Sequence, residues 1–249
     1  MISDPYRIRA LYQPRDVARE YSRVRFSNAT GALLHQREVH WVNRALQNRR
    51  PCRVLEIACG PGRLTAELQF EGAGVALDAS CEMLAAAREA VKASERSMNW
   101  QFLRGDAFRL PFHEAFDFVV SFRLIRHFVC AERRMLYAEV RSALRPQGVF
   151  LMDALNRRGR PGPRLPKPTG GFGDLHDEAY TEVELRRELV ESGFGKVEFF
   201  PVLCHRRLQG QITTWVGPRW PLLAHGLVRL LEFGGGVTVG GWVVKCMRA

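Results

Sequence analysis

Two carboxylates and a glycine turn carry the chemistry most open to a reading from sequence. The stretch Val54-Leu-Glu-Ile-Ala-Cys-Gly-Pro-Gly-Arg-Leu-Thr65 runs an apolar strand into a turn that opens a helix. Glu56 stands near the strand end, and a second acid, Asp78, ends the next strand. Without a Cβ, Gly60 and Gly62 let the backbone approach a ligand closely, and the free N–H groups at a helix start face it. A carboxylate ending the second strand is placed to accept hydrogen bonds from both hydroxyls of a ribose. An adenosine-bearing ligand at the carboxyl edge of a sheet follows. A nicotinamide dinucleotide calls for a third glycine where this chain has Thr65, and its pyrophosphate would be repelled by Glu56. A ligand carrying a sulfonium and an ammonium group suits that carboxylate better, so electrostatics favours S-adenosylmethionine.

The elements that must position these residues alternate from Pro51 onward. Arg53–Ala58 is a short apolar strand, and Arg63–Phe70 has helical spacing through Leu64 and Leu68. Gly74–Asp78 is a second strand, and Ser80 can cap the Ala-rich helix 81–93. Strands follow at 100–104 and 116–121, then a helix at 132–144, the turn Pro146-Gln-Gly148 and a fifth strand at 149–153. Beyond a Pro/Gly/Arg-rich loop (156–173) come a helix at 182–191, a sixth strand at 196–202 and a closing strand at 241–246. This rhythm predicts an α/β fold: a Rossmann-like, doubly wound, seven-stranded, mostly parallel sheet, its last strand antiparallel and helices on both faces. One domain spans 1–249. Residues 1–50 form a helical cap, 51–153 the cofactor-binding core, and 154–249 the substrate-side loops, a lid segment and the last strands.

Residues 51–153 resemble a class I S-adenosylmethionine-dependent methyltransferase of the small-molecule type (methyltransferase domain 11/25-like). The matching pieces are Leu55-Glu-Ile-Ala-Cys-Gly-Pro-Gly-Arg, Leu77-Asp-Ala-Ser-Cys-Glu-Met-Leu, Gly105-Asp-Ala-Phe-Arg-Leu-Pro-Phe, Phe116-Asp-Phe-Val-Val-Ser and Leu144-Arg-Pro-Gln-Gly. The resemblance implies that Glu56 faces the methionine amino group through the loop at Gly60 and Gly62, and that Asp78 binds the ribose. It places Ala79 and Met83 beside the adenine, Asp106 at the adenine amino group with Ala107 next to it, and Ser121 beside the methionine moiety. Tyr21, in Tyr21-Ser-Arg-Val-Arg-Phe26, lies in a segment resembling one that closes over the methionine end in some relatives; an amphipathic helix packed on the domain is the other reading. Ala58 stands where the family often has glycine.

Methyl transfer from a sulfonium is an in-line displacement in which alignment and exclusion of water dominate. A general base is needed only where the nucleophile must lose a proton. In Ser121-Phe-Arg-Leu-Ile-Arg-His-Phe128, His127 is the base candidate, against a plain packing role, and Arg123 and Arg126 are candidate clamps for an anionic acceptor. The Asn-Pro-Pro-Tyr, Asp-Pro-Pro-Tyr and Pro-Cys motifs of base-modifying relatives do not follow the fourth strand, and the His and Cys spacings suggest no metal site. Expected, then, is transfer to an O, N or C centre of a small, acidic or lipophilic metabolite, with S-adenosylhomocysteine as product. An RNA methyltransferase using the basic flanks and a non-catalytic interaction protein are the alternatives.

The charge is unevenly spread. The chain has 37 Lys+Arg against 26 Asp+Glu, a net of +11, yet residues 51–153 are neutral while 1–50 carry +6 and 154–249 carry +5. With only four lysines, the excess is arginine, and genomic Arg bias competes with a role toward the acceptor. Nucleic acid is thus an unlikely partner and a small-molecule acceptor the expected one. No apolar run reaches the ~18–20 residues of a transmembrane helix; the leucine stripe of 218–233 (Leu223, Leu227, Leu230, Leu231) is expected to pack a helix on the domain, the other readings being a hydrophobic lid or peripheral membrane contact with Arg219 and Arg229 at headgroup level. Six cysteines without a C-x-x-C pair, and no secretion signal at Met1-Ile-Ser-Asp-Pro, suggest reduced, mostly buried thiols in the cytoplasm.

Overall fold

The computed structural model describes residues 26–47, 52–94, 99–159, 177–233 and 239–249. Helix α1 (Ala29–Leu46) leads into β1 (Cys52–Ile57), β2 (Gly72–Asp78), α2 (Cys81–Ala93), β3 (Asn99–Arg104) and β4 (Phe116–Ser121). A short 3₁₀ turn at Ile125–His127 precedes α3 (Cys130–Ala143), β5 (Leu144–Leu155), α4 (Glu182–Glu191), β6 (Phe194–Cys204), α5 (Arg206–Trp215), α6 (Pro221–Phe233) and β7 (Val239–Arg248). The sheet order is β3-β2-β1-β4-β5-β7-β6. Pairs β3–β2, β2–β1, β1–β4 and β4–β5 are parallel, while β7 runs antiparallel to both β5 and β6. This is the doubly wound, mostly parallel sheet that the strand rhythm predicts.

Central strands are buried on both faces, so they read as continuous apolar runs. In β1 every residue but Arg53 is buried. One face packs Leu55, Ile57, Phe150 and Met152 against Leu136, Tyr137 and Val140 of α3 and Leu185 and Leu189 of α4. The other packs Val54, Phe118, Val120 and Leu151 against Val42 and Leu46 of α1. Strand order reverses between the parallel neighbours β1 and β4, with β2 and β3 laid down to one side and β5 to the other, which opens a crevice at their carboxyl ends.

Two local expectations differ. The helix expected at 63–70 is a run of turns with two i to i−4 bonds, Ala66 N–H to Gly62 and Leu68 N–H to Leu64. Asn43 of α1 explains it: its amide donates to the Glu67 carbonyl (3.0 Å) and accepts from the Gln69 N–H (2.8 Å), diverting groups that a continuing helix would use. The Arg145-Pro-Gln-Gly148 stretch lies within the bounds of β5, as a bulge between the pairs Phe116–Leu144 and Phe118–Val149, with Gln147 at φ +62°. All six cysteines are free, as expected, but only Cys52, Cys59 and Cys246 are buried; Cys81 and Cys130, the first residues of α2 and α3, are exposed.

Candidate active site

The crevice between β1 and β4 holds a cavity of about 150 Å³. Its β1 side begins with Glu56, fully buried, whose Oε2 accepts the Thr65 hydroxyl at 2.6 Å. Burial pushes its carboxyl up to about 7, against the hydrogen bond from Thr65 and the nearby Arg63. The guanidinium of Arg63 is committed elsewhere: it contacts buried Glu38 at 2.6 Å and lies over the Phe26 ring. Glu56 is therefore a buried acid without a dedicated cation, and a positively charged ligand group would favour its ionised form.

Asp78, at the end of β2, organises the turn opposite. Its Oδ2 accepts the Gly60 N–H (2.9 Å) and its Oδ1 the Ser80 N–H (2.9 Å). The Ala79 backbone N–H adds to these, and since a carboxylate has about four lone-pair positions, the turn does not exhaust what Asp78 can accept. Burial raises its carboxyl above the usual range against these backbone bonds. Ser80 accepts the Met83 N–H as the cap of α2, and this fixes Met83 against the cavity. Gly60 at φ +55° lines the cavity. Gly62, at φ +79°, does not: a Cβ there would meet the Ala87 Cα at 2.7 Å, so its role is to let the turn close on α2. Ala58 has φ +56°, the left-handed conformation that glycine adopts freely, so alanine at this position is held in a strained backbone conformation.

On the far side, the Asp106 Oδ1 accepts the Phe108 N–H at 3.0 Å and holds the turn carrying Ala107 and Phe108. Of the residues singled out from sequence, Glu56, Gly60, Asp78, Ala79, Met83, Asp106, Ala107, Arg123 and His127 share this one cavity. Ser121 does not line it; its hydroxyl is buried and donates to the Ile57 carbonyl at 3.2 Å, bracing β4 against β1. Tyr21 lies outside the described residues, as does most of the Arg-rich loop at 156–173.

The acceptor side differs from expectation at Arg126. Its guanidinium is buried and bonded to Asp153 at the end of β5, so it holds the loop and is not an open clamp. The Arg123 N–H donates to the same carboxylate, which keeps Arg123 at φ +63° and directs its guanidinium over the Phe26 ring, 4.6 Å from the centroid. Phe26 thus lies against two cations, Arg63 and Arg123, one from each side of the crevice. His127 is buried at the end of the 3₁₀ turn, with Nδ1 3.6 Å from Asp177 Oδ1. The Glu178 N–H donates to the Arg126 carbonyl (2.7 Å), which fixes the segment that carries Asp177. Sequence reasoning missed Asp177, and it missed an aromatic wall made of Phe108, Phe122 and Phe128. A Phe at each of these places carries no local signal distinguishing cavity from core.

Residues 54–148 match a family model described as a methyltransferase domain. No curated protein sequence matches the chain. Among solved structures, it is similar to magnesium protoporphyrin IX methyltransferase from Synechocystis PCC 6803, solved with S-adenosylhomocysteine, at 14% identity and TM-score 0.66, covering 99% of this chain and 100% of that one. It is also similar to an S-adenosylmethionine-dependent methyltransferase from Thermotoga maritima (16% identity, TM-score 0.61, 96% and 99% covered). A third similar fold is the [4+2]-cyclase SpnF (18% identity, TM-score 0.58, 85% and 80% covered). Two further matches are longer proteins, of which the chain spans 66% and 59%. Residues 54–148 thus match a methyltransferase domain, and the sheet around them has the fold of the S-adenosylmethionine-dependent methyltransferases to which the chain is similar.

Proposed function

We propose that the chain transfers the methyl group of S-adenosylmethionine, by in-line displacement, to an O, N or C centre of a small, acidic or lipophilic molecule. The observation carrying this is the pairing in one cavity of Glu56, a buried acid without a dedicated cation, with Asp78, whose carboxylate holds the glycine turn. The cofactor supplies an electrophilic methyl carbon on sulfur; the acceptor's lone pair forms the new bond as the carbon–sulfur electrons return to sulfur. The ammonium group falls to Glu56, and the ribose to the Asp78 carboxylate. Ala79 and Met83 flank the adenine, and Asp106 with Ala107 takes its edge.

The acceptor meets Phe108, Phe122 and Phe128, which exclude water, and Arg123, which attracts an anionic group. His127 takes the proton where the nucleophile carries one, with Asp177 orienting its Nδ1 side. An RNA acceptor has less support. Arg126 and Arg133 are buried in ion pairs with Asp153 and Glu188, so part of the arginine excess serves the fold.

The test is incubation of the protein with methyl-labelled S-adenosylmethionine and a cell extract, followed by mass spectrometry. Label in a small molecule, lost with Asp78→Ala, is the expected result. Label in RNA would move the proposal to the other acceptor class. Tight cofactor binding with all label left on the cofactor would mean that the fold serves another reaction, as the name of the [4+2]-cyclase illustrates for a similar fold.

A further inference from the structure

The segment between β6 and β7 holds a surface that methyl transfer does not use. From Phe199 to Leu231 the sequence contains no acidic residue and four arginines, Arg206, Arg207, Arg219 and Arg229. Helices α5 and α6 pack on α1 through a small cluster of Ala29, Leu33, Leu203, Ala224 and Val228, with Ile212 and Val216 against it. The Thr30 hydroxyl is 2.6 Å from that of Thr213 and 3.2 Å from the Gln209 carbonyl, which ties α5 to α1. The leucine stripe expected to pack is thus not the buried one. Ala224 and Val228 face the domain because small side chains let α6 lie close, while Leu223 and Leu230 are turned outward.

What remains outward is apolar and aromatic. Trp215 is 80% exposed and Leu222 88%, with Leu208, Trp220, Leu223 and Leu230 also exposed. Arg219 lies over the Trp220 ring. Glu232, the acid at the end of this stretch, is turned inward, accepting from Gln209 and facing Arg37. Exposed Trp and Leu bordered by arginines, with no acid among them, match a surface that is apolar just beneath a negatively charged layer. Among the described residues no helix is long and apolar enough to cross a membrane. Thirteen-residue α6 extends only ~20 Å against the ~30 Å of a hydrocarbon core.

We infer that the α5–α6 face docks on the surface of an anionic lipid bilayer, with Trp215, Trp220, Leu222 and Leu223 in the headgroup–acyl boundary and Arg207, Arg219 and Arg229 at the lipid phosphates. Docking needs no cofactor, so it fails separately from the methyl-transfer reading. Because the face is joined to α1, which reaches the cavity through Glu38 and Arg63, it sets that cavity beside the bilayer as a source of lipophilic acceptors.

The test is co-sedimentation of the full chain with vesicles of phosphatidylcholine alone or mixed with phosphatidylglycerol. Expected is at least tenfold stronger partition to the anionic vesicles, weakening as salt is raised. Leu222→Glu should lower it at least tenfold, and Arg219→Glu should abolish the preference for anionic lipid. Both positions are exposed, and unchanged S-adenosylhomocysteine binding verifies the fold. Quenching of tryptophan emission by brominated acyl chains gives a second readout. Absence of partition, or partition that Leu222→Glu leaves intact, overturns the inference. A dimer in sedimentation velocity that Leu222→Glu dissolves, with no vesicle binding, would assign the face to a second copy and overturn it too.

Discussion

Two buried acids at the carboxyl ends of nearby strands, Glu56 on β1 and Asp153 on β5, have opposite electrostatic fates. Burial works to raise both. Glu56 rises to about 7, since only the Thr65 hydroxyl is committed to it. Asp153 ends below the usual carboxylate range, because Arg126, Arg123 and the Arg123 N–H outweigh its desolvation. A residue that builds the fold brings its counter-charge with it. Glu56 is buried without such a counter-charge, at a standing cost in the free protein, which is what the proposed role in binding a cationic ligand group would call for.

The contrast can be broken at each acid. The largest effect is expected for Asp153→Ala, which strands Arg126 in the interior and frees the Arg123 N–H. A loss of ~3–5 kcal/mol in urea unfolding is expected. Asp78→Ala should weaken S-adenosylhomocysteine roughly 100-fold in calorimetry, since it removes the ribose acceptor and releases the Gly60 turn. Glu56→Gln should weaken S-adenosylmethionine about tenfold at pH 8 without lowering thermal stability.

The sign for Glu56 follows from its raised carboxyl. The folded protein holds the proton more tightly than the unfolded chain, so this residue's contribution to stability declines as pH rises from its ordinary value of 4.5 toward 7. The cation-binding form is instead gained over the upper part of that range. Wild-type affinity for S-adenosylmethionine should therefore fall as pH drops below 7, and the Glu56→Gln variant should lose this dependence. The smallest effect has the opposite sign: Ala58→Gly relieves a left-handed alanine and should stabilise the protein by about 1 kcal/mol in the same unfolding assay.

That the proposed cofactor residues would cluster was legible in the sequence because its logic is local. Glu56, Gly60, Asp78, Ala79, Met83, Asp106 and Ala107 sit at strand ends and in the turns that follow, and a parallel sheet brings those ends to one edge. The acceptor side depends on partners far away in sequence. Nothing near Arg126 announces that Asp153 will neutralise it, nor near His127 that Asp177 will face it. The turns at 61–67 show the same limit, since Leu64 and Leu68 are helically spaced but Asn43 of α1 takes the backbone groups. In α6 the periodicity was visible, yet which stripe packs was decided by the small residues that let α1 approach.

The central claim is that Glu56 and Asp78 together receive a cationic, ribose-bearing cofactor. Calorimetric titration of S-adenosylmethionine into wild type, Asp78→Ala and Glu56→Gln across pH 6 to 8 tests it most directly. The account predicts wild-type binding that strengthens as pH rises through about 7, a severe loss with Asp78→Ala, and a weaker, pH-independent affinity with Glu56→Gln. Binding that is equal in all three proteins, or absent from the wild type, would contradict it.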